Sequence, residues 1–173
     1  AFRWAHTADP TAKLYLNDYN VEGVSPKSDA YYGLAQQLLA AGVPVHGMGV
    51  QGHLGVQFGF FPASNVAANL QRFEDLGLET SVTEADVRML LPADTVKLQA
   101  QAQGYNTLLQ GCLLVRRCTS FTVWGYTDRY SWVPGFFEGE GAANILDEDF
   151  APKPAYQALQ ATLALARPGG GRA

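Results

Sequence analysis

The sequence predicts an α/β fold of parallel strand–helix units, and three observations carry that expectation. Four short runs rich in apolar residues, Lys13–Asn17, Val45–Gln51, Leu78–Thr83 and Thr119–Trp124, read as strands. Their carboxyl ends, near Asn17, Gln51, Glu84 and Trp124, lie 34, 33 and 40 positions apart. A helical pattern fills each interval. Such near-even alternation marks βαβ crossovers, which make neighbouring strands parallel.

Taken in order, Phe2–Ala8 reads as the tail of a helix entered midway, so an upstream portion is expected. In Ser28–Ala41, Tyr31, Leu34, Leu38 and Leu39 keep helical spacing, and Gly42 offers a left-handed cap. In Asn65–Leu76 the stripe is Val66, Leu70 and Phe73, with Ser64 as N-cap and Gly77 after the end. Thr95–Gly111 follows a capping Asp94 and lines one face with Leu98, Tyr105, Leu108 and Leu109. A long Gly-rich and acidic loop spans Pro134–Pro152. The last helix opens at Pro154, a favoured first-turn residue, and turns Tyr156, Leu159 and Leu163 inward. Residues 167–173 read as a flexible tail, and 1–166 as one partial domain.

Composition narrows the function classes. The 173 residues are 47% hydrophobic and 16% charged, enough apolar material for a packed core. The net charge is −4 and no Lys/Arg cluster exists, which disfavours a nucleic-acid partner. No apolar run reaches the roughly 18 residues a membrane helix needs. His6, His46 and His53 fall in no metal-ligand spacing, so neither metal nor cofactor is expected. A GxSxG elbow and a GxGxxG fingerprint are both missing. Cys112 and Cys118 are too widely spaced for a CxxC redox pair, which leaves a disulfide and two reduced thiols both open.

Candidate chemistry gathers at the strand ends. Gln51 and His53, Glu84 and Asp86, and Trp124 and Tyr126 are three pairs spaced by two, the period that puts side chains on one face. Singly, such residues are ordinary: a strand-end Glu is usually solvated, a His structural, a Trp part of a core. Together they supply what a sugar-cleaving pocket needs. A carboxylate attacks or stabilises an oxocarbenium-like centre, an imidazole held by a second carboxylate orients it, and indoles stack on sugar C–H faces. In barrels of parallel strands, that rim is where active sites are built.

The motifs KLYLNDYNVEG, GVQGHL, LQRFEDLGLE, VTEADVRM, FTVWGYTDRYSWVPGFF and KPAY, in that order, resemble the second half of family 10 glycoside hydrolases, endo-1,4-β-xylanases. The resemblance runs from Ala1 to about Leu165. It implies the carboxyl-terminal half, strands 5 to 8, of a TIM (β/α)8 barrel. It implies Glu84 as nucleophile, His53 as its hydrogen-bond partner, and Asp86 as the carboxylate that steadies His53. Gln51 matches a residue at the cleavage subsites. Trp124 and Trp132 match indoles enclosing the sugars on the non-reducing side, and Asn17, Tyr19 and Asn20 match the leaving-group side. Cys112 and Cys118 match a pair disulfide-bonded in many relatives, which favours a secreted protein. Ala85 stands where the resemblance implies Leu or another larger apolar residue, pointing away from the site.

The larger departure is the family's first four strands, which carry the acid/base Glu after an Asn. Glu22, several residues past its strand end, reads as a loop residue rather than a substitute. The expected partners are therefore xylan or xylo-oligosaccharides and the missing amino-terminal half, with no nucleic acid and no membrane. A half-barrel should leave two open sheet edges and an apolar barrel-facing surface. The alternative function is a non-catalytic carbohydrate-binding half-barrel.

Overall fold

In the computed structural model, residues 1–166 are described. The elements in order are α1 (Phe2–Ala8), β1 (Tyr15–Asp18), α2 (Pro26–Ala40), β2 (Gly47–Val50), β3 (His53–Gly55), α3 (Ala63–Asp75), β4 (Glu79–Leu90), α4 (Thr95–Leu113), β5 (Cys118–Val123), α5 (Val133–Phe136), β6 (Glu140–Gly141) and α6 (Pro154–Leu165). Strands β1, β2, β4 and β5 lie side by side in that order, all parallel. These are the four strands expected from the sequence.

Two additional pairings depart from it. His53 opens its own short strand β3, which pairs in parallel with Asp86–Arg88. β4 therefore runs twelve residues, and Glu84 and Asp86 lie within it rather than at its end. The stretch read as one long loop contains α5 and β6, and β6 pairs antiparallel with Met89 and Leu90. Twelve residues of β4 thus serve both the sheet and the rim above it.

Local chemistry sets the helix ends. Ser25 caps α2 in a reciprocal capping box with Ser28, and Pro26 occupies the first turn. Asp94 accepts from the Lys97 N–H at 2.8 Å and caps α4. α3 begins one residue before Ser64, with Pro62 at the cap position and no side-chain cap. The expected Ser64 cap is therefore wrong: the fixed φ of Pro62 leads the chain into the first turn without it. Gly42 and Gly77 adopt the left-handed conformation that ends α2 and α3.

The core lies between the sheet and the helices. Leu16, Met48, Val50 and Val82 point from the strands onto Val66, Leu70 and Phe73 of α3 and Tyr105, Leu108 and Leu109 of α4. Two expected stripes are shifted. On α2 the buried apolar residue is Ala35 while Leu34 is exposed, and on α6 Ala155 and Leu159 are buried while Tyr156 and Leu163 are exposed.

The opposite face of the sheet was expected to be apolar and is largely polar. Tyr15 donates to Glu79 at 2.7 Å and touches Thr119, which reaches Ser81, while Lys13 pairs with Glu79. Thr83 donates to Asn17 at 2.8 Å. Hydrophobic collapse is therefore satisfied on the helix side. The two open edges, β1 and β5, stand as expected, each paired on one side among the described residues.

Cys112 and Cys118 form a disulfide between the end of α4 and the start of β5. It closes a loop of sequence separation 6, for which chain entropy gives about 2 kcal/mol. Converting both cysteines to serine is expected to lower stability by about that amount in urea denaturation; an unchanged midpoint would contradict it.

Candidate active site

The site is assembled where β1, β2–β3, β4 and the segment after β5 meet. Asn17 on β1 reaches over β2 and donates Nδ2–H to Glu84 Oε1 at 2.9 Å. Gly49 makes that reach possible. A Cβ there would stand 2.6 Å from Asn17 Oδ1 and 3.0 Å from Thr83 Cγ2, so any side chain would push Asn17 aside. Asn17 thus holds Glu84 directly, a closer role than its expected place on the leaving-group side.

The other Glu84 oxygen faces His53: Oε2 and Nε2 are 3.3 Å apart. Behind the ring, His53 Nδ1 and Asp86 Oδ1 are 3.0 Å apart, a close ion-pair contact whose N–H is not aimed straight at the oxygen. The second Asp86 oxygen accepts the Trp132 indole N–H at 2.7 Å. Asp86 itself is buried. Glu84, His53, Asp86 and Trp132 therefore form one connected chain, and the imidazole has a carboxylate at each nitrogen.

That placement sets the ring's charge. Burial pulls the His53 pKa down, but Asp86 and then Glu84 outweigh it, and the net direction is above the ordinary 6.5. With the folded pKa raised, the charged ring stabilises the fold below about pH 6.5, and that contribution is lost as pH rises through the folded value. An NMR titration is expected to place the His53 midpoint above 6.5, and Asp86→Asn to lower it. A midpoint unmoved by Asp86→Asn would rule out this account.

The aromatic wall is partly as expected. The Trp132 ring lies edge-on to His53 at 5.1 Å and packs on Phe136 and Phe137. Trp124, at 6.4 Å from His53, leaves about half its surface open. Tyr126, its partner at spacing two, packs instead near Phe150. Gly125, in the left-handed conformation between them, breaks the strand period on which that pairing rested.

On the other side of His53 a cleft of about 650 Å³ opens, with Asn20, Glu22, Phe58, Phe61 and Arg88 on its walls. Arg88 is held by Glu140 at 2.7 Å and lies over Phe137 at 4.0 Å, so its charge is already paired. Tyr19 is half exposed beneath the Lys27 ammonium, 3.8 Å from the ring centre. Gln51 accepts the Glu84 N–H through its carbonyl at 2.8 Å and donates its own N–H to Asp18.

Sequence reasoning missed the Asn17–Glu84 bond, for which the small residue at Gly49 was the available signal. It also missed the burial of Glu22. That residue does lie in a loop, but it is only 3% exposed, and burial pushes its carboxyl above the ordinary range. Among the described residues, no His, Cys, Asp and Glu cluster could hold a metal ion, and no helix is long and apolar enough to cross a membrane.

A parallel α/β sheet with a carboxylate–imidazole–carboxylate chain on its rim, walled by indoles, places its polar groups where (β/α)8 barrels build their sites, at the carboxyl ends of the strands. The chain belongs to glycosyl hydrolase family 10, whose family model matches residues 1–162. It is 50% identical over 159 residues to an endo-1,4-β-xylanase of Agaricus bisporus, covering 92% of this chain and 47% of that protein. With endo-1,4-β-xylanase 5 of Pyricularia oryzae the identity is 44%, covering 96% of this chain and 41% of the other. The crystal structure of xylanase 10B from Thermotoga petrophila in complex with xylobiose superposes with TM-score 0.89 at 39% identity, over 95% of this chain and 50% of that one. The chain thus spans about half the length of the relatives it matches, and its fold corresponds to roughly half of a (β/α)8 barrel.

Proposed function

We propose that this chain supplies the nucleophile half, strands 5 to 8, of a secreted endo-1,4-β-xylanase that cleaves internal bonds of xylan with retention of configuration. The observation that carries the reading is the setting of Glu84: one oxygen receives the Asn17 amide and the other faces His53. The two contacts fix the orientation of the carboxylate before substrate arrives.

In the first step Glu84 attacks the anomeric carbon and the glycosidic C–O bond breaks, leaving a glycosyl ester on Glu84. An acid/base Glu from the complementary half, about 5–5.5 Å from Glu84, protonates the departing oxygen. It then takes a proton from water, which displaces Glu84 and restores the configuration. His53 holds the Glu84 carboxylate, Asp86 holds His53, and Gln51 contacts the sugar at the cleavage point. Trp124 and Trp132 stack on the non-reducing side. Asn20 and Tyr19 line the leaving-group side, where the cleft beside His53 continues.

The test is reducing-sugar release from xylan by the chain alone and after mixing with the amino-terminal half of a family 10 relative. Turnover only in the mixture, lost with Glu84→Ala, supports the reading. Saturable binding of xylo-oligosaccharides with no turnover in a folded mixture would favour the non-catalytic carbohydrate-binding half-barrel. Turnover by the chain alone would overturn the assignment of the acid to the other half.

A further inference from the structure

We infer that Glu22 is a positioning residue: its buried carboxyl clamps Asn20 and the Gly52 peptide together, and through them sets His53 against Glu84 and Asp86. The inference deepens the function proposed above, and it begins from a cost. A carboxyl group 3% exposed has surrendered its hydration, and an apolar side chain would pack there without that penalty. Its position in the sequence, in the loop between β1 and α2, does not require burial.

The return is geometric. Glu22 Oε1 accepts two backbone N–H groups, from Asn20 and from Gly52, each at 3.2 Å. Both donors belong to residues in left-handed conformations, Asn20 at φ 56° and Gly52 at φ 83°. Asn20 carries a Cβ, but asparagine tolerates that conformation better than most residues, and the bond from its N–H to Glu22 helps to hold it there. Gly52 is the single residue between Gln51 and His53, and it breaks the strand into β2 and β3. Its N–H is taken by Glu22 and its carbonyl by the Asp86 N–H at 3.2 Å. The two peptides flanking Gly52 are therefore each held, the one before it by Glu22 and the one leading into His53 by Asp86.

Glu22 is itself braced. Asn69 of α3 donates Nδ2–H to the carbonyls of Val21 at 2.7 Å and Glu22 at 3.3 Å. Arg72 holds Asn69 Oδ1 at 3.0 Å. A continuous set of contacts thus runs from α3 through Glu22 to the imidazole, and one oxygen joins the leaving-group loop to the loop that carries His53. Because the role is to accept, a neutral acceptor of the same shape should serve.

The test compares Glu22→Gln, Glu22→Leu and Glu22→Asp in the full chain by NMR, with circular dichroism to confirm folding. Glu22→Gln is expected to keep the Gly52 and Asn20 amides protected and the His53 ring signals in place. Glu22→Leu is expected to speed exchange of both amides roughly tenfold or more and to shift the His53 ring signals. Glu22→Asp, one methylene shorter, serves where the leucine variant fails to fold, and should move the same signals. A folded leucine or aspartate variant with unchanged His53 and Asn20 signals would overturn the inference, as would Glu22→Gln behaving like leucine. These readouts need no substrate. A chain that fails to cleave xylan in the mixture would sink the proposed function and leave this result standing.

Discussion

Glu84→Ala, in the chain completed by an amino-terminal half, is expected to reduce xylan hydrolysis by about 10⁴-fold or more, the scale seen when an enzyme nucleophile is removed. The expected loss is large because nothing nearby can replace it. Asp86 lies on the other side of His53, and its oxygens are engaged by the Trp132 indole and by His53. Glu22 is buried behind Gly52. Azide gives the experiment its discrimination. A small anion entering the space vacated by the carboxylate would attack the anomeric carbon from the same side, yielding an α-glycosyl azide with inverted configuration. Rescue of that kind assigns Glu84 as the attacking group rather than a structural one. Residual turnover within tenfold of the parent would exclude Glu84 as nucleophile.

The largest stability effect is expected at Lys153. This residue opens α6, yet its side chain is buried, with Nζ 2.9 Å from Asp128 Oδ2 and 2.7 Å from each of the Ala142 and Asn144 carbonyls. Burial pulls the Lys153 pKa down and pushes Asp128 up, and each charge partly offsets the shift of the other. Lys153→Met leaves a buried carboxylate and two carbonyls without their cation. Breaking one side of such a pair costs about 3–5 kcal/mol, or roughly 6–20 °C in Tm for a domain of this size. Removing Asp128 in the same protein should recover part of the loss, since the stranded charge goes with it. Asp128 also accepts the Asn144 N–H at 2.8 Å and lies four residues before Trp132. The single variant should therefore also loosen the Trp132–Asp86 contact, read as a change in indole fluorescence. A cost below about 1 kcal/mol would refute this account of the pair.

How far the sequence reached can be judged residue by residue. Strand spacing, capped helix starts and apolar stripes were local signals, so the parallel order β1, β2, β4, β5 and the Asp94 cap were legible without a structure. The constellation Glu84, His53 and Asp86 was legible from residue types and their resemblance to a family motif. The structure brings the three together within 3.0–3.3 Å contacts. Where the reading erred, a non-local partner had changed a local preference. His53 was placed past a strand end, whereas pairing with β4 draws it into a strand of its own. The period of two between Trp124 and Tyr126 failed because Gly125 turns the chain between them.

The sequence by itself thus determined the fold class, the resemblance to a family and the residues that carry the candidate chemistry, while the Cys112–Cys118 bond, left open by spacing and implied by that resemblance, is made in the structure. The first three are written in types and spacings along the chain. Only the tertiary structure decided which atoms meet: Asn17 with Glu84 across Gly49, Glu22 with Gly52, Lys153 with Asp128. These pairs are 67, 30 and 25 residues apart in sequence. Their energies depend on burial and on donor–acceptor distance, which arise when the sheet and helices pack, so no window of sequence contains them.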